Sequence, residues 1–158
     1  MTRLFAIAFA VLIAGTASAQ TNIALGGLNA DPSAAVEIAA DNLSVDQASG
    51  TATFSGNVKI GQGDLRLSAA SVRVIYSEAT GDIAQLIASG GVTFVTATEA
   101  AEAANADYNL TTGQLVLSGD VLLTQGASAL SAERMVVNLN TGSAQMSGRV
   151  RTVFQQGN

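Results

Sequence analysis

The sequence predicts an all-β protein in the form of a two-layer slab built from repeated β-hairpin units. Glycines recur at a regular spacing, and apolar residues alternate with polar residues between them. Sequence patterns typical of helices are weak. A Ser-Gly pair marks each of four units, at intervals of 34, 29 and 29 residues: Ser55-Gly56, Ser89-Gly90, Ser118-Gly119 and Ser147-Gly148.

An earlier glycine accompanies each Ser-Gly pair and predicts a turn between strands, because glycine accepts positive φ. These glycines are Gly50, Gly81, Gly113 and Gly142. The earlier glycine lies six residues before the glycine of the Ser-Gly pair in units one, three and four, but nine residues before it in unit two. Unit two is therefore expected to contain an insertion within residues 83–88.

The alternation in unit one defines an inward and an outward face. Ala52, Phe54, Val58 and Ile60 share one parity, and polar residues such as Thr53 take the other. Such alternation is typical of a strand with one buried and one solvated face. Units three and four repeat the pattern. The glycine of each Ser-Gly pair falls on the inward parity, which predicts a bend or a close backbone approach.

A switch of parity appears later in two of the units. Leu67 is followed five residues later by Val72, and Leu130 by Met135. A kink or bulge at residues 68–71 and 131–134 would aim both apolar rows at the same interior. The alanine-rich stretch 99–106 is interpreted as strand, because its alternation continues to the next turn.

The amino-terminal residues have the pattern of a secretory signal peptide. A basic start and a short apolar segment precede Ala17-Ser18-Ala19, so cleavage is expected between Ala19 and Gln20. The apolar segment is shorter than the roughly 20 residues that span a bilayer. An uncleaved anchor is the alternative. The predicted organisation is a signal peptide at 1–19, a flexible leader at 20–35, one β domain at 36–154 and a short tail at 155–158.

Composition argues against most catalytic and metal chemistry. The chain contains no cysteine and no histidine, so thiolate and imidazole metal ligands and the usual Ser-His and Cys-His pairs are excluded. We expect no catalytic residues, no metal site and no cofactor. A net charge of −5 argues against nucleic acid as a partner. For an anionic lipid, apolar burial would have to supply most of the affinity.

Several segments resemble the OstA-type family of periplasmic lipopolysaccharide transport proteins, the LptA-like bridge proteins. They are Ala40-Asp41-Asn42-Leu43, the stretch 50–58 that begins at Gly50, the stretch 62–67, the stretch 88–92 and the stretch 115–139. The resemblance covers residues 36–154.

The resemblance implies a twisted β-jelly-roll, open along one side, whose inward rows form a trough for the acyl chains of lipid A. It also implies a periplasmic protein of outer membrane assembly. Such proteins stack head to tail and join an inner-membrane lipopolysaccharide extraction complex to an outer-membrane lipopolysaccharide translocon.

Parity supplies the candidate lipid-binding residues, which form an interior row. They are Phe54, Val58, Ile60, Leu65, Leu67, Val74, Tyr76, Val92, Phe94, Leu115, Leu117, Val121, Leu123, Met135, Val137 and Met146. Each of them also fits an ordinary core position. Lys59, Arg66 and Arg73 fall on outward parity, where they suit either solvated surface or contact with a lipid phosphate.

The ends of the β domain supply the candidate subunit interface. The first strand, near residues 36–45, and the last, near 146–154, are expected to be unpaired edges that join head to tail with other copies. The candidate interface residues are Val36, Ile38, Leu43, Val45, Val150, Val153 and Phe154. Arg149 and Arg151 also suit protection of an exposed edge from wrong pairing.

Other classes of protein remain possible from the sequence. An anchored shuttle, or the amino-terminal part of a translocon in the same pathway, would share the repeats. A structural β-solenoid or surface adhesin also has glycine-punctuated repeats. An enzyme fits poorly, because the carboxylates and hydroxyls are scattered and no base accompanies any serine.

Overall fold

The computed structural model describes residues 22–24 and 33–155, whose regular elements are all β-strands. The predicted signal peptide, its cleavage site, most of the leader and the last three residues lie outside this part of the chain. The strands are β1 (Asn22–Ala24), β2 (Val36–Ala39), β3 (Asn42–Asp46), β4 (Thr51–Gln62), β5 (Leu65–Tyr76), β6 (Ile83–Val95), β7 (Glu99–Asn109), β8 (Gln114–Gln125), β9 (Ser128–Asn138), β10 (Ser143–Ser147) and β11 (Arg151–Val153).

The eleven strands form one antiparallel sheet that follows the chain from hairpin to hairpin. Strands β4 to β10 pair in sequence order. At one end, β2 and β3 both pair with β4, and at the other, β10 and β11 both pair with β9. The predicted all-β class is confirmed, and the alanine-rich stretch 99–106 lies in β7.

A line of register shifts crosses the whole sheet, and we call it the corner line. Between β4 and β5 the pairing passes from Ser55↔Ser71 to Val58↔Ala69, so two residues of β4 face one residue of β5. A shift of one residue recurs between all neighbouring strands from β5 to β9. Two residues face one between β6 and β7 and between β8 and β9, and three face two between β5 and β6 and between β7 and β8. The breaks between β2 and β3 and between β10 and β11 fall on the same line. Both predicted kinks, at 68–71 and 131–134, are confirmed.

Glycine is required on this line because the backbones approach closely. The pairs that meet are Gly56 with Asp41, Gly90 with Ala70, Gly119 with Ala104 and Gly148 with Glu133. A Cβ placed on Gly90 or Gly119 would lie 2.6 Å from the facing alanine Cβ, closer than two carbon atoms can pack. All four glycines also have φ between 79° and 81°, a conformation that costs other residues energy. The bend predicted at the Ser-Gly pairs is therefore confirmed.

The corner line divides the sheet into two layers. Layer A contains β1, β3, β10 and the strand halves beside them, and layer B contains β2, β11 and the other halves. Strand β4 keeps its inward parity across the line, from Ala52 to Val58, whereas β5 switches from Leu67 to Val72. Buried side chains from both layers consequently form a single hydrophobic cluster, as in a folded β-jelly-roll.

The insertion in unit two lengthens β6 on the layer A side. β6 begins at Ile83 and contains the pair Ser89-Gly90, whereas β8 begins at Gln114 and contains the pair Ser118-Gly119. The part of the strand before the pair is therefore longer in β6. Ala84 is bulged out of the pairing, since Ile75 pairs with Gln85 and Tyr76 with Ile83. The predicted location of the insertion is confirmed.

The ends of the sheet differ from expectation in three ways. The leader was expected to be loose, but β1 pairs with β10, with Asn22 opposite Gln145 and Ala24 opposite Ser143. Each predicted terminal strand is broken at the corner line, into β2 and β3 or into β10 and β11. Because β1 covers β10, only β11 is an uncovered edge at the carboxyl-terminal end of the described sheet. The short β1 has no repeat pattern from which its distant partner could be predicted.

We expect Gly90→Ala to destabilise the fold more than Gly91→Ala, although both glycines lie on the corner line with φ of 81° and 84°. A left-handed alanine costs about 1 kcal/mol at either position. Only Gly90 adds the contact with Ala70, which we expect to cost roughly 1 to 3 kcal/mol more. Urea unfolding measures the difference. The double variant Ala70→Gly/Gly90→Ala should recover most of the extra loss, and equal effects of the two single variants would contradict this account.

Candidate functional site

Fourteen of the sixteen residues of the predicted interior row are buried, each with at most 4% of its surface exposed. They come from both layers, for example Leu117 from layer A and Leu123 from layer B. Side chains of the two layers pack against one another in one cluster. The parity rule therefore located the interior correctly. Whether these residues also bind lipid stays a prediction.

Phe54 and Tyr76 differ from the rest of the row. Phe54 is partly buried and packs against the core beside the edge strand β3, where it pairs with Leu43. Tyr76 is 38% exposed, because it ends β5 next to the bulge at Ala84. The expectation that Tyr76 belongs to the interior row is wrong.

The predicted interior row omitted many small members of the interior. Eight of the buried hydrophobic residues are alanines, and they alternate with larger side chains along the same strands. Ala101 and Ala103, for example, occupy the inward parity of β7. The continued alternation was the available signal, and the low hydrophobicity of alanine obscured it. Short side chains of this kind reduce the volume that the protein itself places between the layers.

The buried polar side chains gather at the rim of layer B, away from the corner line. They are Gln62, Thr96 and Glu99 in the described chain. The Gln125 Nε2 donates a hydrogen bond of 2.8 Å to the Glu99 Oε1, and the Thr96 hydroxyl accepts one of 3.3 Å from the Glu99 amide. Between this rim and the corner line the buried side chains are apolar.

One buried hydrogen bond joins the two layers. The Tyr108 hydroxyl of layer A donates to the Gln62 Oε1 of layer B over 3.1 Å, and the Gln62 Nε2 donates to the Ala34 carbonyl over 3.2 Å. Burial raises the pKa of the Tyr108 hydroxyl above its ordinary value of 10.0. The bond therefore uses a neutral donor and closes the interior at the rim.

Two of the three cationic candidates lie near each other on layer B. Lys59 and Arg66 line a cleft of about 650 Å³ beside β2, together with Glu37. The Arg66 Nη1 donates to the carbonyls of Gly63 and Leu65 over 2.6 and 2.8 Å. Arg73 is in layer A, where it pairs with Thr53 and Ile87. The structure therefore brings Lys59 and Arg66 together but not Arg73.

Exposed apolar side chains concentrate at the two ends of the sheet. Leu43 and Val45 are 57% and 62% exposed on β3. At the other end, Val150, Val153 and Phe154 are 44%, 56% and 71% exposed. Of the predicted interface residues, only Val36 and Ile38 pack partly against the core. Both ends therefore offer apolar surface beside strand edges.

Residues 22–24 and 33–155 include no helix with the length and apolar character that a membrane span needs. The same residues contain no group of three or more acidic or other metal-ligating side chains placed to hold a metal ion.

Comparison with known proteins gives a family and a fold. The sequence model of a family described as LptA/(LptD N-terminal domain) LPS transport protein matches residues 37–143. A solved structure of LptH, the LptA-homologous periplasmic component of the lipopolysaccharide transport device of Pseudomonas aeruginosa, is similar with a TM-score of 0.73 and 17% identity. The similarity covers 80% of this chain and 99% of the LptH chain. No curated protein matches.

We expect Tyr108→Phe to lower the free energy of unfolding by about 1 to 2 kcal/mol at neutral pH, because the hydrogen bond between the Tyr108 hydroxyl and the buried Gln62 oxygen is lost. Above pH 10 the original protein should lose stability with rising pH, since the unfolded tyrosine ionises before the buried one. In Tyr108→Phe, the part of the stability loss above pH 10 that comes from ionisation of Tyr108 should be absent. Urea titrations between pH 7 and 11 measure both effects. Tyr76→Phe, at an exposed position, is the control and should change stability at pH 7 by less than about 0.5 kcal/mol.

Proposed function

We propose a function from one premise: the chain belongs to the LptA/LptD N-terminal domain family of lipopolysaccharide (LPS) transport proteins. The protein is a periplasmic carrier that shields the acyl chains of lipid A between its two layers. Head-to-tail copies form the bridge between the inner and outer membranes. The observation that supports this most directly is the single apolar interior, which both layers share and which ends at apolar strand edges.

Lipid enters when the two layers separate. The inward side chains already pack against one another, so acyl chains must replace contacts between the layers. The replacement exchanges one apolar contact for another, and each CH2 that the lipid buries contributes about 0.8 kcal/mol. The polar cost of separation includes the Tyr108–Gln62 hydrogen bond, worth about 1 kcal/mol net. Several acyl chains can offset that cost.

The predicted signal peptide supports export, and LptH, which has the same fold, is described as a periplasmic component. An inner-membrane extraction complex and an outer-membrane translocon are the partners at the two ends. The net charge of −5 gives the chain little overall attraction for lipid phosphates. Lys59 and Arg66, which share a cleft, are the best-placed cations for such a contact.

Photo-crosslinking in cells tests the interior. A benzophenone side chain at Phe54 replaces one aromatic group by another at a half-buried inward position, and the same probe at Thr53 faces outward on the same strand. We expect LPS adducts at Phe54 and few or none at Thr53, because acyl chains contact only the inward face. Immunoblotting for LPS on the crosslinked protein measures the ratio. Equal labelling at both positions would rule out the proposed interior site.

The repeat of the corner line supports the proposed self-association. Strands β4, β6 and β8 each have a Ser-Gly pair on the corner line, and its serine pairs with the same position of the strand that follows. That position comes directly after the corner-line residue of the following strand: Ser55 pairs with Ser71, which follows Ala70, and Ser118 pairs with Arg134, which follows Glu133. Asp41, between β2 and β3, is the first corner-line residue of the chain that faces a glycine, and Gly148 is the last of the four corner-line glycines that approach such a residue. A second copy that continues the series would place its Asn42 opposite Ser147.

This register matches the two ends residue by residue. In layer B it places Ile38 of a second copy opposite Thr152, and in layer A it places Leu43 of that copy opposite Met146. Inward positions then meet inward positions in both layers, so the interior continues from copy to copy. Arg149, whose side chain is 90% exposed and lies 3.4 Å from Glu133, would come beside Asp41 of the second copy. Opposite charges at this point favour the register.

Disulfide trapping tests the register, since the chain has no cysteine of its own. In a chain with Ala39→Cys and Arg151→Cys the two thiols face each other across copies, so mild oxidation should give a ladder of covalent oligomers. The control pair Ala39→Cys/Val153→Cys is two residues out of register, beyond the reach of a disulfide. Non-reducing electrophoresis measures the ladder. Equal ladders, or none from the matched pair, would reject this head-to-tail contact.

A further inference from the structure

The two strands at the carboxyl-terminal end of the sheet differ in what covers them. In layer A, β1 pairs with β10 and places Asn22, Ile23 and Ala24 opposite Gln145, Ala144 and Ser143. In layer B, β11 pairs with β9 and with no other strand of residues 22–24 and 33–155. The described residues therefore cover the layer A half of this edge with β1 and do not cover the layer B half.

Strand β1 occupies the positions that the repeat register assigns to a second copy. Continued by that rule, β3 of a second copy would place Val45 opposite Ala144 and Ser44 opposite Gln145. Ile23 and Asn22 of the same chain already hold those two positions. Both strands cannot pair with the same edge of β10, since each backbone group there forms one ladder hydrogen bond.

We propose that β1 is an internal strap that covers the β10 edge until β3 of a second copy displaces it. This inference rests on the proposed head-to-tail contact. The uncovered β11 accepts β2 of the second copy first, and β3 then replaces β1 along β10. Three paired residues of β1 give way to the five of β3, which also bring the exposed Leu43 and Val45 into an apolar interface.

The strap has a physical consequence for assembly. Because β1 is tethered to the same chain, it competes at a high effective concentration. The apparent association constant between copies then equals the intrinsic constant multiplied by the fraction of chains whose strap is open. A covered edge also resists wrong pairing with other unpaired strands. Assembly beyond the β11 contact therefore requires a partner whose first strands match both halves of the edge.

A reversible lock tests the strap. In the cysteine-free chain, Asn22→Cys/Gln145→Cys joins two directly opposed residues of β1 and β10, so oxidation holds the strap closed. Sedimentation velocity over a range of concentrations gives the dissociation constant between copies. We expect the dissociation constant of the oxidised form to be higher than that of the reduced form by a factor of about ten or more. Thr53→Cys/Arg73→Cys joins β4 to β5 within layer A, and its oxidation should leave the constant unchanged.

Releasing the strap gives the opposite expectation. Ile23→Pro removes a backbone donor from β1 and should weaken its pairing with β10, so copies should associate several-fold more tightly than in the original chain. If the locked, original and released proteins associate equally while the Ala39/Arg151 ladder forms, the strap is rejected and head-to-tail contact stands. If the ladder does not form and no protein associates, the head-to-tail contact itself fails, and the strap fails with it.

Discussion

The close approach of four glycines to the residues that face them is the constraint on which the rest of the structure depends. A Cβ on any of these glycines would lie 2.6 or 2.7 Å from an atom of Asp41, Ala70, Ala104 or Glu133. The approach bends every long strand at the same height. Without it the sheet would remain one layer, and its apolar face would stay in water. The interior therefore exists because glycine recurs once per hairpin.

The same periodicity determines what the ends of the molecule can do. Each hairpin repeats the corner line of the one before it, so the geometry of the sheet is compatible with a further strand at either end of the described residues. Its edges therefore have the geometry and parity of interior strands, while Leu43 and Phe154 remain exposed there. Such edges are hazards in a protein that must stay monomeric. Under the proposed head-to-tail contact they would be the attachment points between copies.

Local patterns predicted the features that repeat, and long-range pairing decided the others. Spacing of the Ser-Gly pairs and alternation of parity gave the units, the corner line and most of the buried row. Tyr76 has the parity of an interior residue, but a bulge in the neighbouring strand leaves it exposed. Strand β1 pairs with residues more than a hundred positions away, and no periodic signal connects it to them. The Gln62–Tyr108 hydrogen bond similarly depends on how the two layers meet.

A packed interior is compatible with lipid transport because of what holds it closed. Dispersion and the hydrophobic effect have no required direction, so a row of leucine, valine and alanine accepts an acyl chain as readily as the opposite layer. Directional polar contacts are found at the rim of layer B, at Gln62, Thr96 and Glu99. An interior crossed by many hydrogen bonds would lose several of them on opening, each at the cost of an unpaired buried group. Because such contacts are confined to the rim, the proposed exchange of one apolar partner for another in the interior would break few hydrogen bonds.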